Sequence, residues 1–250
     1  MKEITNSQRI APDKKNVRAM FNNIAKRYDF LNHFLSLGID KYWRRRVIQI
    51  LSTFQPKEIL DIATGTGDLA IQIAKIKPNK IIGIDIAEEM LTIAKEKIRK
   101  RKLNNIIEVF TADSENLPFK NNLFDAVTVA FGVRNFENLK KGLSEIHRVT
   151  KNGGKAVILE FSMPTMFPVK QLYQFYFKFI LPLLGRLVSK NKFAYTYLPA
   201  SVSAFPQGEE FANIMQQAGF DTIKHIKLTF GIASIYIGEK LTKNNNFVKL

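Results

Sequence analysis

Apolar positions in the first fifty residues recur at helical spacing. In "VRAMFNNIAKRYDFLNHFLSLG" they fall at Val17, Met20, Phe21, Ile24, Tyr28, Leu31, Phe34 and Leu35, and from about 13 to 55 there is no proline and only Gly38 as a break. This pattern predicts one amphipathic helix stopping at Gly38 and a second, "IDKYWRRRVIQILSTF", with Asp40 as its N-cap. Beyond residue 57 short apolar runs alternate with helical stretches. "EILDIA", "KIIGIDI", "IIEVFTAD", "FDAVTVAFG" and "KAVILEFS" read as buried strands. "LAIQIAKI", "AEEMLTIAKEKIRKR" and "LKKGLSEIHRVT" read as the helices between them, with a turn at Gly153-Gly154 before the fifth strand. Strands alternating with helices predict a parallel sheet covered on both faces. The chain closes with a helix, "EEFANIMQQAG", and two strands, "DTIKHIKLTF" and "IASIYIGEK", whose short connection predicts an antiparallel pair.

One segment falls outside this rhythm. Met163 to Gln207 is an insertion that holds five Lys or Arg and, up to Pro206, no Asp or Glu. Its centre, "QLYQFYFKFILPLLGRLVSK", is mostly apolar, with Gln171, Gln174, Lys178 and Arg186 as a narrow polar stripe. Lys178, Pro182 and Arg186 make it a poor membrane span, and no other stretch approaches the roughly 18 apolar residues a span needs. The N-terminus carries no apolar signal core, which points to an intracellular protein. The tail "TKNNNFVKL" reads as disordered.

Composition narrows the chemistry. The chain has 250 residues, enough for one substantial α/β domain, and 46% of them are hydrophobic. With no cysteine there is no disulfide, thiolate metal site or cysteine nucleophile, and His33, His147 and His225 lie too far apart in sequence to suggest a metal site. A formal charge of +16 implies an anionic partner: nucleic acid, a lipid surface or an acidic substrate.

"LDIATGTGDLA" is a strand, a glycine turn and the start of a helix. Gly65 and Gly67 permit a tight turn and close backbone approach to a ligand. Asp85 closes the second strand, where a carboxylate grips ribose hydroxyls, and Asp113 closes the third, within reach of an adenine amino group or in an Asx turn. A dinucleotide's pyrophosphate disfavours nearby carboxylates, yet Asp61 precedes the turn and Asp68 follows it. S-adenosylmethionine brings cationic groups and no phosphate, and so suits this acidic setting. The alternative for Asp61 is a structural strand-end or capping role.

These residues resemble those of class I methyltransferases. "YDFLNHFLSLGIDKYWRR", "LDIATGTGDLA", "ADSENLPF", "FGVRNF", "EIHRVTKNGGKAVILEFSMP" and "YLPASVSAFPQGEEF" together resemble the quinone-biosynthesis C-methyltransferases, the demethylmenaquinone and 2-polyprenyl-6-methoxy-benzoquinol methyltransferase family, from about Val17 to Lys240. The resemblance implies a Rossmann-like α/β fold with a mixed seven-stranded sheet and helices on both faces. Residues 1–55 would form an N-terminal helical cap, 56–240 the catalytic domain with insertion 163–207, and 241–250 a tail. It implies methyl transfer from S-adenosylmethionine to a ring carbon of a reduced prenylated quinone, and cofactor contacts at Thr66, Asp85, Asp113 and Ser114 beside Asp61, Gly65 and Gly67. Many relatives carry serine where this chain has Ala130, so a side-chain contact is lost there and only the backbone remains.

Carbon methylation needs an electron-rich ring held about 3–3.5 Å from the methyl group, stabilisation of developing phenolate charge and removal of a proton. Arg134 and Asn135, at the exit of the fourth strand, are expected to hold that charge, with Arg134 acting directly or through a water. Tyr28, Asp29 and His33 are expected to approach from the first helix, His33 or Asp29 as proton acceptor or, alternatively, each as a cap or helix-face contact. Phe175, Tyr176, Phe179, Leu183 and Leu184 offer an apolar trough for the prenyl tail, or a helix that simply packs on the sheet. The acid-free insertion predicts salt-sensitive peripheral contact with an anionic bilayer at the inner face of the membrane, and Arg44-Arg45-Arg46 beside Trp43 add to that surface or, alternatively, form a solvated helix face. A nucleic-acid methyltransferase lacks support, since no basic stripe with interleaved aromatics is present. A nicotinamide-dependent reductase is disfavoured by Asp61 and by the lack of a second catalytic domain. Naphthoquinol and benzoquinol acceptors both stay open, with a lean to the former, as does the oligomeric state, a homodimer included.

Overall fold

The computed structural model describes residues 13–180 and 192–242. Two helices come first, α1 (Lys14–Leu35) and α2 (Ile39–Ser52), followed by β1 (Glu58–Ile62), α3 (Asp68–Ile73), β2 (Lys80–Asp85), α4 (Glu88–Lys100), β3 (Ile107–Thr111) and β4 (Phe124–Ala130). Next come α5 (Leu139–Val149), β5 (Thr150–Phe161), α6 (Val169–Phe175) running into a π-turn at Tyr176–Ile180, α7 (Lys192–Ala204), α8 (Glu209–Gln217), β6 (Thr222–Leu228) and β7 (Ala233–Glu239). The strands form one seven-stranded sheet in the order β3-β2-β1-β4-β5-β7-β6. All neighbours are parallel except β7, which runs antiparallel to both β5 and β6.

The strands read as apolar runs because both faces are covered. Successive residues alternate between two cores: Ile59, Ala126, Val157 and Leu159 face α2 and α3 with Trp43, Val47 and Leu69. Leu60, Val127, Ala156 and Ile158 face α5 and α8 with Leu143, Phe211 and Phe220. Truncating one of the fully buried rings, Phe124, Phe211 or Phe220, to alanine would cost about 3–5 kcal/mol.

Three local expectations are corrected. Asp40 is not the N-cap of α2. That place is held by Gly38 at φ 76°, and Asp40 sits inside the helix, buried, accepting from Ser36 Oγ at 2.8 Å and pairing with Arg44. Arg44 is therefore 5% exposed and no part of a basic surface, while its neighbour Trp43 is buried and donates its indole N–H to Thr229 Oγ1 at 2.7 Å. The glycine pair is not a turn but an irregularity within β5, where the pairing with β4 jumps from Phe124↔Thr150 to Ala126↔Lys155. Gly153 takes φ 81° there, a conformation that favours glycine. The readings of Leu183, Leu184 and Arg186, and of the tail from Lys243, lie outside the described residues, as do the side chains of Leu31, Phe34, Leu35 and Lys178. Among the described residues no helix is long and apolar enough to cross a membrane.

Candidate active site

A cleft opens where the strand order reverses between β1 and β4, at the C-terminal ends of the strands. This is the ligand crevice of doubly wound sheets. Ile62, Ala63, Ile84, Asp85, Ala112 and Ala130 line its base, α1 borders it with Val17, Phe21 and Tyr28, and it encloses about 670 Å³, open solvent at the mouth included. Three backbone features shape it. Gly65 stands at φ 56° in the turn after β1. Gly132 must be glycine, because a Cβ there would meet the Ala63 Cβ at 2.4 Å, where the loops after β1 and β4 touch. Phe131, just before it, holds φ 59°, a strained conformation for a non-glycine residue. Its N–H is held by Leu159 O at 2.8 Å and its ring by Phe161, centroids 4.5 Å apart.

The structure brings Tyr28, Gly65, Asp85, Asp113, Ser114, Ala130 and Asn135 into this cleft. Asp85 accepts Gly65 N–H at 2.8 Å and Ala87 N–H at 2.9 Å. Burial raises its carboxyl above the ordinary value, and these two amides work against the rise. Asp113 forms the Asx turn, accepting Glu115 N–H at 2.9 Å, and its other oxygen takes Lys14 Nζ at 2.7 Å. Partial burial is the largest influence on Asp113 and disfavours its charge, but the Lys14 hydrogen bond, the Glu115 amide and the charges of Lys14 and Lys141 together outweigh it and lower its pKa. Burial raises the Tyr28 pKa, so it stands in the cleft as a phenol.

Other expected site residues are placed elsewhere. Asp61 does not line the cleft. It is 1% exposed and accepts from Thr64 Oγ1 and Thr128 Oγ1, each at 2.6 Å. Its register partner on β4 is Thr128, which puts the two side chains on one face of the sheet. Gly67 packs under α4, where a Cβ would lie 3.2 Å from the Ala94 Cβ. Thr66 is buried and donates to Asp29 Oδ1 at 2.5 Å, while Asp29 Oδ2 takes Lys97 Nζ at 2.9 Å. His33 has Nδ1 2.7 Å from Asp40 and Nε2 3.8 Å from Asp68. Asp29 and His33 thus tie α1 to α2, α3 and α4, and neither is among the residues that line the cleft.

Arg134 is the largest correction. It lies in a 3-10 turn (Val133–Asn135) behind the cleft, its side chain 6% exposed, paired with fully buried Glu160 at 2.7 Å and donating to Phe131 O at 2.6 Å. Among the described residues its buried Nε has no hydrogen-bond partner. Asn135 takes the cleft-facing place instead, and Tyr197 Oη donates to its Oδ1 at 2.9 Å. The sequence reading missed Glu160, Tyr197, Lys14 and the buried Glu115, which accepts Glu137 N–H at 2.9 Å. Glu160 carried a signal, as the one acid in the apolar run "KAVILEFS", and Tyr197 and Glu115 lie in the resembling stretches "YLPASVSAFPQGEEF" and "ADSENLPF", whereas Lys14 carried none.

Comparison with known proteins sets this geometry in context. A family model described as the ubiE/COQ5 methyltransferase family matches residues 8–240. A Bacteroides fragilis protein named demethylmenaquinone methyltransferase is 49% identical over 225 residues, 90% of this chain and 92% of that one. A Geotalea uraniireducens protein named ubiquinone/menaquinone biosynthesis C-methyltransferase UbiE is 47% identical, covering 90% of this chain and 96% of its own. In fold, the chain is similar to a SAM-dependent methyltransferase from Aquifex aeolicus, with a TM-score of 0.54 at 20% identity over 74% of this chain and 82% of that one.

Proposed function

Since the chain belongs to the ubiE/COQ5 methyltransferase family, we propose that it transfers the methyl group of S-adenosylmethionine to a ring carbon of demethylmenaquinol. The observation that carries this reading is the 49% identity, over nearly the whole of both chains, to a demethylmenaquinone methyltransferase. The cleft residues suit the cofactor. Asp85 ends β2 with its carboxylate in the cleft for ribose hydroxyls, apolar Ile86, Met90 and Ala112 offer a slot for a flat base, and Asp113 and Ser114 stand at its edge. When bound, S-adenosylmethionine supplies an electrophilic methyl on a sulfonium.

The chain's own residues do the rest. A quinol becomes nucleophilic at the ortho carbon as a hydroxyl loses its proton. Asn135 and Tyr28 are neutral donors in the cleft that can hydrogen-bond the ring oxygen as its charge grows, as oxyanion donors do. Arg134, neutralised by Glu160, acts one layer back by fixing the turn that presents Asn135. α1, with Val17 and Phe21 in the cleft wall, excludes water from the reacting centre.

The acceptor's prenyl tail and the location of the enzyme belong to the same proposal. The stretch leading out of β5 exposes Met166, Phe167, Leu172, Phe175 and Phe179, and the Phe175 and Phe179 rings lie 5.1 Å apart. This apolar face, in a segment with five Lys or Arg and no Asp or Glu, supports a trough for the tail at an anionic bilayer on the cytoplasmic side. Co-sedimentation with vesicles measures that contact.

The acceptor is tested by incubating the chain with S-adenosylmethionine and either demethylmenaquinol or 2-polyprenyl-6-methoxy-1,4-benzoquinol, with mass spectrometry of the lipid products. Gain of one methylene by the naphthoquinol is the expected result. Preferential methylation of the benzoquinol would move the assignment to the ubiquinone branch, and no gain on either would end it.

A further inference from the structure

Tyr197 meets three parts of the site at once. It lies on α7, the helix that follows the insertion, and is 8% exposed. Its ring packs with Val17 and Met20 of α1, and Val17 itself lines the cleft. Its hydroxyl donates to Oδ1 of Asn135, a residue in the cleft wall 62 positions earlier in sequence. A carboxamide has an acceptor on one corner and two donors on the other. With the acceptor corner held by Tyr197, the donor corner turns away from α7.

We propose that Tyr197 is a positioning residue for the methyl transfer: its hydroxyl fixes the Asn135 carboxamide with the NH2 group presented to the ring oxygen of the acceptor. Without that bond the amide can rotate and place its carbonyl, an acceptor, against an oxygen that is gaining negative charge. Such an orientation repels the transition state while leaving the cleft's shape unchanged. The ring makes the arrangement conditional. Because Tyr197 is wedged against α1, the amide is locked only when α1 is seated over the cleft and α7 is docked. The insertion that offers the surface for the prenyl tail is thereby connected to the donor at the ring. The reaction-specific part of this inference rests on the acceptor assignment above.

The test compares wild type, Tyr197→Phe, Asn135→Ala and the double variant in steady-state turnover of demethylmenaquinol, with cofactor binding measured by calorimetry. Tyr197→Phe keeps the ring and its packing on α1, so the fold and the cofactor affinity should hold. Its kcat is expected to fall roughly 10- to 100-fold, the scale of a misplaced catalytic group, with KM for the quinol changed less than about two-fold. In the Asn135→Ala background the same substitution should cause no further loss. A wild-type kcat in Tyr197→Phe, or an equal loss in both backgrounds, overturns the proposal. The side-chain amide signal of Asn135, assigned by its absence from the Asn135→Ala spectrum, separates the two readings. It should shift in Tyr197→Phe with no substrate present, and an unmoved signal overturns the positioning role even if the wild-type chain proves to use another acceptor.

Discussion

Asp61 is held under the sheet between two threonine hydroxyls, and burial pushes its carboxyl up to about 6. An aspartate in an unfolded chain titrates near ~3.9. Between those values the folded state keeps a proton that the unfolded state has lost, so stability falls as pH rises through that window. The contribution of protonated Asp61 is fully present below pH ~4 and lost as pH passes about 6, leaving a buried charge that costs on the order of 2–3 kcal/mol. Asp61→Asn should therefore stabilise the protein by about 2 kcal/mol at pH 8 and by progressively less towards pH 5, read by urea unfolding. An advantage that does not change with pH would contradict this account. Glu160 poses the opposite case, since its charge is matched by Arg134. Glu160→Gln leaves a buried guanidinium unpaired and should cost about 3 kcal/mol, whereas Arg134→Met with Glu160→Leu should unfold later than either single variant. If the double variant is the least stable of the three, packing rather than charge holds this turn.

Among the elements, α1 shows best how the cleft is covered. It is fastened at each turn by polar contacts: Lys14 to Asp113 at 2.7 Å, Asn22 to Glu89 N–H at 3.1 Å, Asp29 to Lys97 at 2.9 Å and His33 to Asp40 at 2.7 Å. Arg18 pairs with Glu88 in the same series. Periodicity predicted the helix, yet these fastenings turn it from a neighbour of the sheet into a wall of the site. Half-exposed pairs contribute about 0–1 kcal/mol each, so removing one should loosen only its own turn. Lys14→Ala should raise hydrogen exchange at residues 14–22 by up to about five-fold and leave α4 unchanged. In 1 M salt, where charges are screened beyond ~3 Å, wild type should approach the variant. Unaltered exchange at α1 would mean that the apolar contacts of Val17 and Met20 hold the turn by themselves.

For the whole molecule, the charge of +16 gains meaning from where apolar side chains are exposed. Phe167 is 80% exposed and Phe175 55%, in a segment without Asp or Glu up to Pro206. Binding to anionic vesicles is expected at low salt, weaker at 0.5 M salt and weak on neutral vesicles, since each nearby Lys or Arg adds about 1 kcal/mol at an anionic surface. Phe167→Asp should lower the bound fraction without shifting the melting temperature. Equal sedimentation with and without vesicles at low salt would remove the membrane from the proposal.

Strand and helix identities were legible in the sequence because they follow from the 2.0 and 3.6 residue periods, which involve only near neighbours. The strand-end positions of Asp85, Asp113 and Asn135 followed from the same pattern, since a doubly wound sheet gathers strand ends into one crevice. Which side chains face that crevice was settled by contacts between distant parts of the chain. Lys14 meets Asp113 across 99 positions, Arg134 meets Glu160 across 26 and Tyr197 meets Asn135 across 62. No local pattern encodes such partners. A buried arginine must find a carboxylate once water is excluded, and only the assembled fold could decide that Arg134 turns inward to Glu160 while Asn135 lines the cleft.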